Sequence, residues 1–551
     1  MRRLLWPHLR GQRLRFAGAL TLALLMAGLS AAQPLLTRLA VDQGLIGRHF
    51  NTLAWACAGM LLLAATGYAL GGLHRTLYIY ASGRTLFSLR AAVFEHLLNV
   101  SPRRLSQEAV GDLVSRLDGD IAEVQRFGTD ALLSLLSSLL SLVAVAAVMF
   151  TLSWRLALLV TLLMPLQLLV RRYARPRLEA STRAYRESAA ELSGYLVEHL
   201  AGARQVQAAA AEARAVTRLE GLGERYLKRV VDQQWVSYVT ASVSALLGHF
   251  ATAATFLIGG WMVLSQMLSV GTLIAFVAYL GRSAGSASSV ASFYSGYHRA
   301  RVSLSRVQHL LCLPTVKEQA DAVAIGDARG DLAFDAVTVR GPGEERLLLD
   351  GVSFDIPAGS KVVLRGVSGA GKSTIADLLR RFLDPDRGRV LLDGLPLTAY
   401  RLQELRRRIA VVEHSPILFR GSIYENLGYG CENLERDKVM EAARRAGVDE
   451  FVSSLPKGYD TPIGEGGAGL STGQRQRIAI ARAALAEPLI VVLDEATSGL
   501  DVEAARLMHR ALDTTFASRT RLIITHRVSD VEQADLCWRL EAGHLKPAAL
   551  A

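Results

Sequence analysis

The sequence predicts a two-part chain, an all-helical membrane half of six spans followed by an α/β domain, and three observations predict it. Hydrophobic residues fill 51% of the 551 positions, which is high for a water-soluble chain. Six apolar runs long enough to enter a bilayer precede residue 293, and no comparable run follows. Residues 366–374 read GVSGAGKST, which fits G-x-x-x-x-G-K-[ST], between an apolar run (Lys361 to Leu364) and a helical pattern (Thr374 to Phe382).

The first run, 16–36, holds about twenty mostly apolar residues, enough to cross a ~30 Å hydrocarbon core at ~1.5 Å per residue. Arg2, Arg3, Arg10, Arg13 and Arg15 precede it and Ser30-Ala31-Ala32 imitates a cleavage site, but the run is too long for a secretory leader. Further spans are predicted at 53–73, 131–152, 156–170, 241–264 and 270–292. The long segments 75–130 and 171–237 are charged and helix-friendly, whereas the connections at 43–51, around Trp154 and at 266–269 are short. Arginines crowd the N-terminus and both long segments, so the positive-inside bias puts these parts in the cytosol. That placement accounts for much of the net charge of +12 without nucleic acid, and no zinc knuckle or RNA-binding signature competes. Cys57, Cys312, Cys431 and Cys537 lie too far apart for a zinc or disulfide framework and read as packing residues.

The last span carries Arg282 about twelve residues in, or ~18 Å deep at helical rise. Ser283, Ser286, Ser288, Ser289, Ser292, Tyr294 and Tyr297 surround it in sequence, so this span is expected to face a polar cavity. Arg282 is then a candidate for contact with an anionic or carbonyl-rich ligand; the alternative is an arginine satisfied by the carbonyls of a neighbouring helix.

The first domain is placed at 1–315, a polar linker at 316–330 and the α/β domain at 331–551. In a loop such as Gly366, Val367, Ser368, Gly369, Ala370, Gly371, Lys372, Ser373 and Thr374, backbone N–H groups wrap phosphates, the next helix aims its positive end at them and the lysine adds a cation. Magnesium prefers oxygen ligands, which the Ser373 hydroxyl and an aspartate at a strand end supply. LIVVL, Leu489 to Leu493, reads as a buried strand running into Asp494 and Glu495. Asp494 suits the ion and Glu495 the attacking water.

LSTGQRQRIAIARAAL (Leu470 to Leu485), LDEATSGLD (Leu493 to Asp501) and IITHR (Ile523 to Arg527) follow the loop in that order. Together with the six spans the set resembles the ATP-binding cassette family, in its exporter-type half-transporter form. The resemblance implies an ATPase domain with an antiparallel β-subdomain and a helical signature subdomain. It implies two chains joined head to tail, ATP on the loop of one being capped by Ser471, Gly473 and Gln474 of the other. Glu495 would polarise water, His526 would contact the γ-phosphate and Asp501 would link the two sites. GDLVSRL (Gly111 to Leu117) and LVEHLAGARQVQA (Leu196 to Ala208) match family patterns in the two cytosolic segments, which would carry short coupling helices. The implied function is Mg-ATP-driven export of an amphipathic peptide, lipid or drug by alternating access, from a multi-pass position in a bacterial plasma membrane. Import of a metal chelate, or an ATP-gated regulator without turnover, are the alternatives.

Four residues depart from the family pattern. Thr472 stands at the first glycine of LSGGQ, and its β-branched side chain crowds the approach to phosphate. His414 replaces the Q-loop glutamine, and imidazole is a poor magnesium ligand. Arg340 and Gly341 stand where an adenine-stacking aromatic is usual. Thr472 beside intact Glu495 and His526 favours a heterodimer over a homodimer.

Overall fold

The computed structural model describes residues 2–341, 346–367, 369–431, 435–496, 502–526 and 534–548. It divides into two compact units, Met1–Phe94 with Gly111–Leu311, and Glu95–Val110 with Cys312–Ala551. The helices of the first 311 residues include α1 (Arg13–Leu39), α2 (Phe50–Asn99), α3 (Pro102–Leu105), α4 (Leu132–Leu152), α5 (Trp154–Ala201), α6 (Ala203–Ala208), α7 (Glu212–Leu264) and α8 (Val270–Leu311).

Helices α2, α5 and α7 are 50, 48 and 53 residues long. At ~1.5 Å per residue each runs ~70–80 Å, more than twice the hydrocarbon thickness. The charged segments between spans are therefore helical extensions rather than open loops. Among the described residues, Arg13–Ile46, Phe50–Asn99, Val110–Leu152 and Glu212–Leu264 are long and apolar enough to cross a membrane, and Val270–Ser283 is a shorter apolar stretch. The remaining predicted span, 156–170, lies in α5, where the side chains of residues 159 and 162–168 are outside the description.

Large apolar side chains point outward along these helices: Leu61 is 73% exposed and Leu257 77%. A surface of this kind needs lipid rather than water around it. Polar contacts are kept between helices. Asp42, in a π-helical turn at Ala40–Ile46, accepts hydrogen bonds from Gly271 N (2.8 Å) and Ser269 Oγ (2.5 Å), satisfying free donors at the start of α8. Gly271 is required there, because a Cβ would sit 2.6 Å from the Arg38 carbonyl.

The described residues of the second unit form twelve strands, β1 (Leu332–Arg340), β2 (Leu347–Ile356), β3 (Lys361–Gly366), β4 (Arg387–Leu392), β5 (Leu395–Pro396), β6 (Ile409–Val412), β7 (Gly421–Ser422), β8 (Pro462–Ile463), β9 (Ile490–Asp494), β10 (Thr520–Ile524), β11 (Leu536–Glu541) and β12 (His544–Pro547). One sheet has the order β12-β11-β3-β10-β9-β6, parallel except at β12; a second, antiparallel, runs β2-β1-β4-β5. Parallel strands are covered on both faces, hence continuous apolar runs. Val362, Leu364, Val492, Leu522 and Ile524 pack with Phe334, Leu349 and Ile375, while Val363, Val491, Leu493 and Ile523 pack with Ile478, Met508 and Phe516. Successive residues thus serve opposite cores.

The chain around α3 belongs to this second unit. Ser101 Oγ donates to the Phe382 carbonyl, Arg103 Nη2 donates to the Arg340 carbonyl at 3.0 Å, and Val100 bridges Thr315. Helix α6, by contrast, is short and buries none of its residues.

Candidate nucleotide site

Strand β10 pairs with β3 on one side and β9 on the other, with Ile524 opposite both Leu364 and Asp494. The carboxyl ends of the three strands therefore lie level, and the residues beyond them, Gly366 onward, Glu495 and His526, converge. Crevices at such strand ends are where open α/β sheets bind ligands.

After β3 the loop enters helix α9 (Lys372–Leu379) through Gly371, whose φ of 105° is open to glycine. A Cβ on Gly371 would also lie 2.6 Å from the Leu348 carbonyl, and one on Gly366 would lie 2.5 Å from the Leu540 carbonyl. Both glycines are thus fixed by close backbone approach. Lys372 Nζ donates to the carbonyls of Gly366 (2.8 Å) and Val367 (3.0 Å), which holds the ammonium over the loop. Ala370 and Thr374 are buried, and Ser368 lies outside the described residues.

A cavity of about 360 Å³ is lined by Leu348, Gly369, Gly371, Lys372, Ser373, Thr374, His414, Asp494 and Glu495. Ser373 hydrogen-bonds Asp494, whose carboxyl is pushed up by burial and pulled back by that bond and by Lys372. A half-buried carboxylate beside a hydroxyl is a hard oxygen pair, and the donor set fits magnesium. Glu495 adopts φ 50°, uncommon for a non-glycine residue, and its N–H donates to the Ile524 carbonyl at 2.9 Å. That backbone turn aims its side chain toward β10, and His526 Nδ1 lies 3.7 Å from Glu495 Oε1.

Ser471, Gly473 and Gln474 do not line this cavity. Ser471 caps helix α10 (Thr472–Leu485) in a reciprocal box: Gln474 N donates to Ser471 Oγ at 3.2 Å and Ser471 N to Gln474 Oε1 at 2.8 Å. Thr472 Oγ1 accepts from Arg475 Nη2 at 3.2 Å. Asp501 lies outside the described residues. Arg340 is exposed, its N–H donating to Asp386 Oδ2 at 2.7 Å. In the first unit, Arg282 Nη1 donates to Ser30 Oγ (3.2 Å) and Nη2 to Gln33 Oε1 (2.7 Å), so side chains of α1, not helix carbonyls, satisfy it.

Two residues escaped the sequence reading. Gln476 is fully buried and donates from Nε2 to the His414 carbonyl at 3.2 Å, tying the segment that carries His414 to α10. Its place two residues beyond the signature is the only sequence signal. Asp377, on α9, has its carboxyl raised to about 6 by burial, with Arg380 and Arg103 opposing. Nothing in its sequence surroundings marks it.

The ABC transporter transmembrane region model matches residues 16–282, and the ABC transporter model matches 349–498. An uncharacterized ABC transporter ATP-binding protein, YknV of Bacillus subtilis (strain 168), is 31% identical over 91% of this chain and 83% of its own length. The ATP-dependent lipid A-core flippase of Chromobacterium violaceum is 30% identical over 98% of this chain and 93% of its own. The structure of a bacterial Atm1-family ABC exporter with ATP bound superposes with a TM-score of 0.82 at 27% identity, covering 97% of this chain and 94% of that one. An ATPase fused to an exporter-type, multi-pass membrane region hydrolyses ATP to drive transport. The chain accordingly belongs to the ABC transporter family, with its membrane region and its ATPase in one polypeptide.

Proposed function

We propose that the protein is one half of a dimeric exporter that moves an amphipathic substrate across a bacterial plasma membrane. Within one chain the phosphate loop, Asp494, Glu495 and His526 converge while Ser471, Gly473 and Gln474 stand apart, and this single observation carries the reading. A second chain brings its signature segment to cap the nucleotide. Each site then needs two chains.

The chemistry is in-line phosphoryl transfer to water, helped by positioning and charge neutralisation. Glu495, held by its strained backbone, orients the attacking water, and His526 contacts the terminal phosphate and keeps the carboxylate in register. Lys372 turns from the loop carbonyls to the phosphates. Ser373 and Asp494 would hold magnesium, which would supply charge neutralisation on the phosphates. Thr472 adds bulk at one capping position, which favours a pair of unlike chains with one weaker site. Closing of the paired ATPases swings the long helices between inward- and outward-facing arrangements, a domain-closure switch driven by ligand binding.

Glu495→Gln tests the reading in purified protein in a lipid bilayer. Hydrolysis should fall by ~100-fold or more while Mg-ATP binding persists. Unchanged turnover would remove the assigned role of Glu495.

A further inference from the structure

The first unit contains a cavity of about 270 Å³ whose walls include Glu123, Arg126, Phe127, Asp130, Phe293 and Arg299. Its charges are unevenly partnered. Glu123 accepts from Arg299 Nε at 2.9 Å and, more loosely, from Arg126 Nη1 at 3.5 Å, so two guanidiniums share one carboxylate. Asp130 accepts from the neutral Thr129 hydroxyl at 2.6 Å, and among the described residues no cation pairs with it.

Arg126 and Asp130 stand four residues apart, the spacing at which opposite charges meet on an α-helix. Among the described residues they form no ion pair, Arg126 turning instead to Glu123, and the backbone at Phe127–Ala131 makes a π-helical turn. Such single turns collect at functional sites. The same cavity is walled by the rings of Phe127 and Phe293, with centroids 5.0 Å apart, and Tyr297 stands 5.8 Å from Phe127. A half-buried carboxylate without a cation is unfavourable unless a ligand supplies one.

We propose that this cavity seats the head group of a zwitterionic amphipath, its cationic end at Asp130, its anionic end at Arg126 and Arg299, and its apolar body along Phe127 and Phe293. A volume of about 270 Å³ accepts a head group and not a whole lipid. The aromatic faces add cation–π attraction for the cationic end. This inference names the substrate class of the proposed exporter and rests on that reading.

The test uses the full-length protein in nanodiscs of phosphatidylglycerol, which lack zwitterionic lipid. Titration calorimetry compares lysophosphatidylethanolamine, lysophosphatidylglycerol with the same tail, dodecylamine and the dipeptide Phe-Phe. One or both zwitterions should bind at least tenfold more tightly than the singly charged amphipaths; lysophosphatidylethanolamine alone identifies a lipid head group, Phe-Phe alone a peptide. Asp130→Asn should weaken the zwitterion at least tenfold and leave lysophosphatidylglycerol unchanged. Arg126→Gln should weaken the zwitterion and leave dodecylamine unchanged. Asp130→Glu, which keeps the charge, should hold affinity within about threefold, an outcome a merely structural role would not give. Equal affinity for all four probes, no zwitterion bound, or variants that weaken every probe alike would overturn the proposal. Mg-ATP binding is read on the same samples: if it persists without zwitterion binding, this inference alone falls, and if both are missing the exporter reading falls too.

Discussion

The two units solve the problem of apolar side chains in opposite ways. In the ATPase, Val362, Val363, Leu364, Ile490, Val491 and Val492 are fully buried, each strand feeding a core on both faces. In the membrane unit, Leu61, Leu62, Val143 and Leu257 face outward, while the buried residues include Tyr279, bonded to the Ala31 carbonyl, and Thr255, bonded to the Ala251 carbonyl. One unit hides its grease from water and the other needs lipid to do so. Chemistry follows the same division. The ATPase brings its polar site to the ends of rigid strands, whereas the membrane unit sets its charges along helices, in pairs such as Arg38 with Asp42 and Arg299 with Glu123.

The comparison breaks most plainly if the protein leaves its membrane without detergent. High salt or alkaline carbonate should release none of it, and mild detergent nearly all, as judged by sedimentation. A second test sharpens it. Leu364→Ala, in β3, should lower the stability of the ATPase by ~2–5 kcal/mol, whereas Leu61→Ala, on the outer face of α2, should change it by less than ~0.5 kcal/mol. Thermal unfolding followed at the two units separately checks both.

Asp377 gives the ATPase a pH dependence of known sign. Its folded pKa of about 6 lies above the ordinary carboxylate value, so the folded form holds an extra proton between roughly pH 4 and 6. Stability contributed by this group therefore rises as pH falls through that window, and the buried charge is a penalty at neutral pH. Asp377→Asn should stabilise the ATPase at pH 7.5 by ~1–2 kcal/mol, after discounting for partial exposure, and leave it unchanged at pH 4. Unfolding midpoints across that range read the difference.

The smallest effect separates structure from function. Ser422 and Ser471 form the same capping box, with Glu425 and Gln474 respectively. Ser422→Ala and Ser471→Ala should each lower stability by ~1 kcal/mol. Only Ser471→Ala should also slow ATP turnover, because in the proposed dimer that hydroxyl would face the neighbour's nucleotide. Equal turnover in the two variants would detach Ser471 from catalysis.

Legibility followed the same division. LIVVL announced β9 and its terminal Asp494 because a strand buried on both faces must be continuously apolar. GVSGAGKST announced the loop because close approach at Gly366 and Gly371 admits nothing larger. The antiparallel sheet was visible only through resemblance, since its strands alternate with bulges and register shifts that have no simple pattern. The π-helical turns were not legible, because one extra residue in a helical turn leaves apolar spacing nearly intact. Nor was the packing of 95–110 with the ATPase, which rests on Ser101, Arg103 and backbone carbonyls. Arg282 was legible as unusual, but its partners Ser30 and Gln33 lie some 250 residues away, beyond what local pattern reaches.

The coupling of the two units is tested most directly by a distance across the membrane side. With the native cysteines replaced, spin labels at Asn51→Cys, in the first turn of α2, report the separation of two chains in a Glu495→Gln background that holds ATP. Mg-ATP should shift the distance distribution, and Lys372→Ala should abolish the shift. An identical distribution with and without Mg-ATP, in protein that binds the nucleotide, would contradict the account.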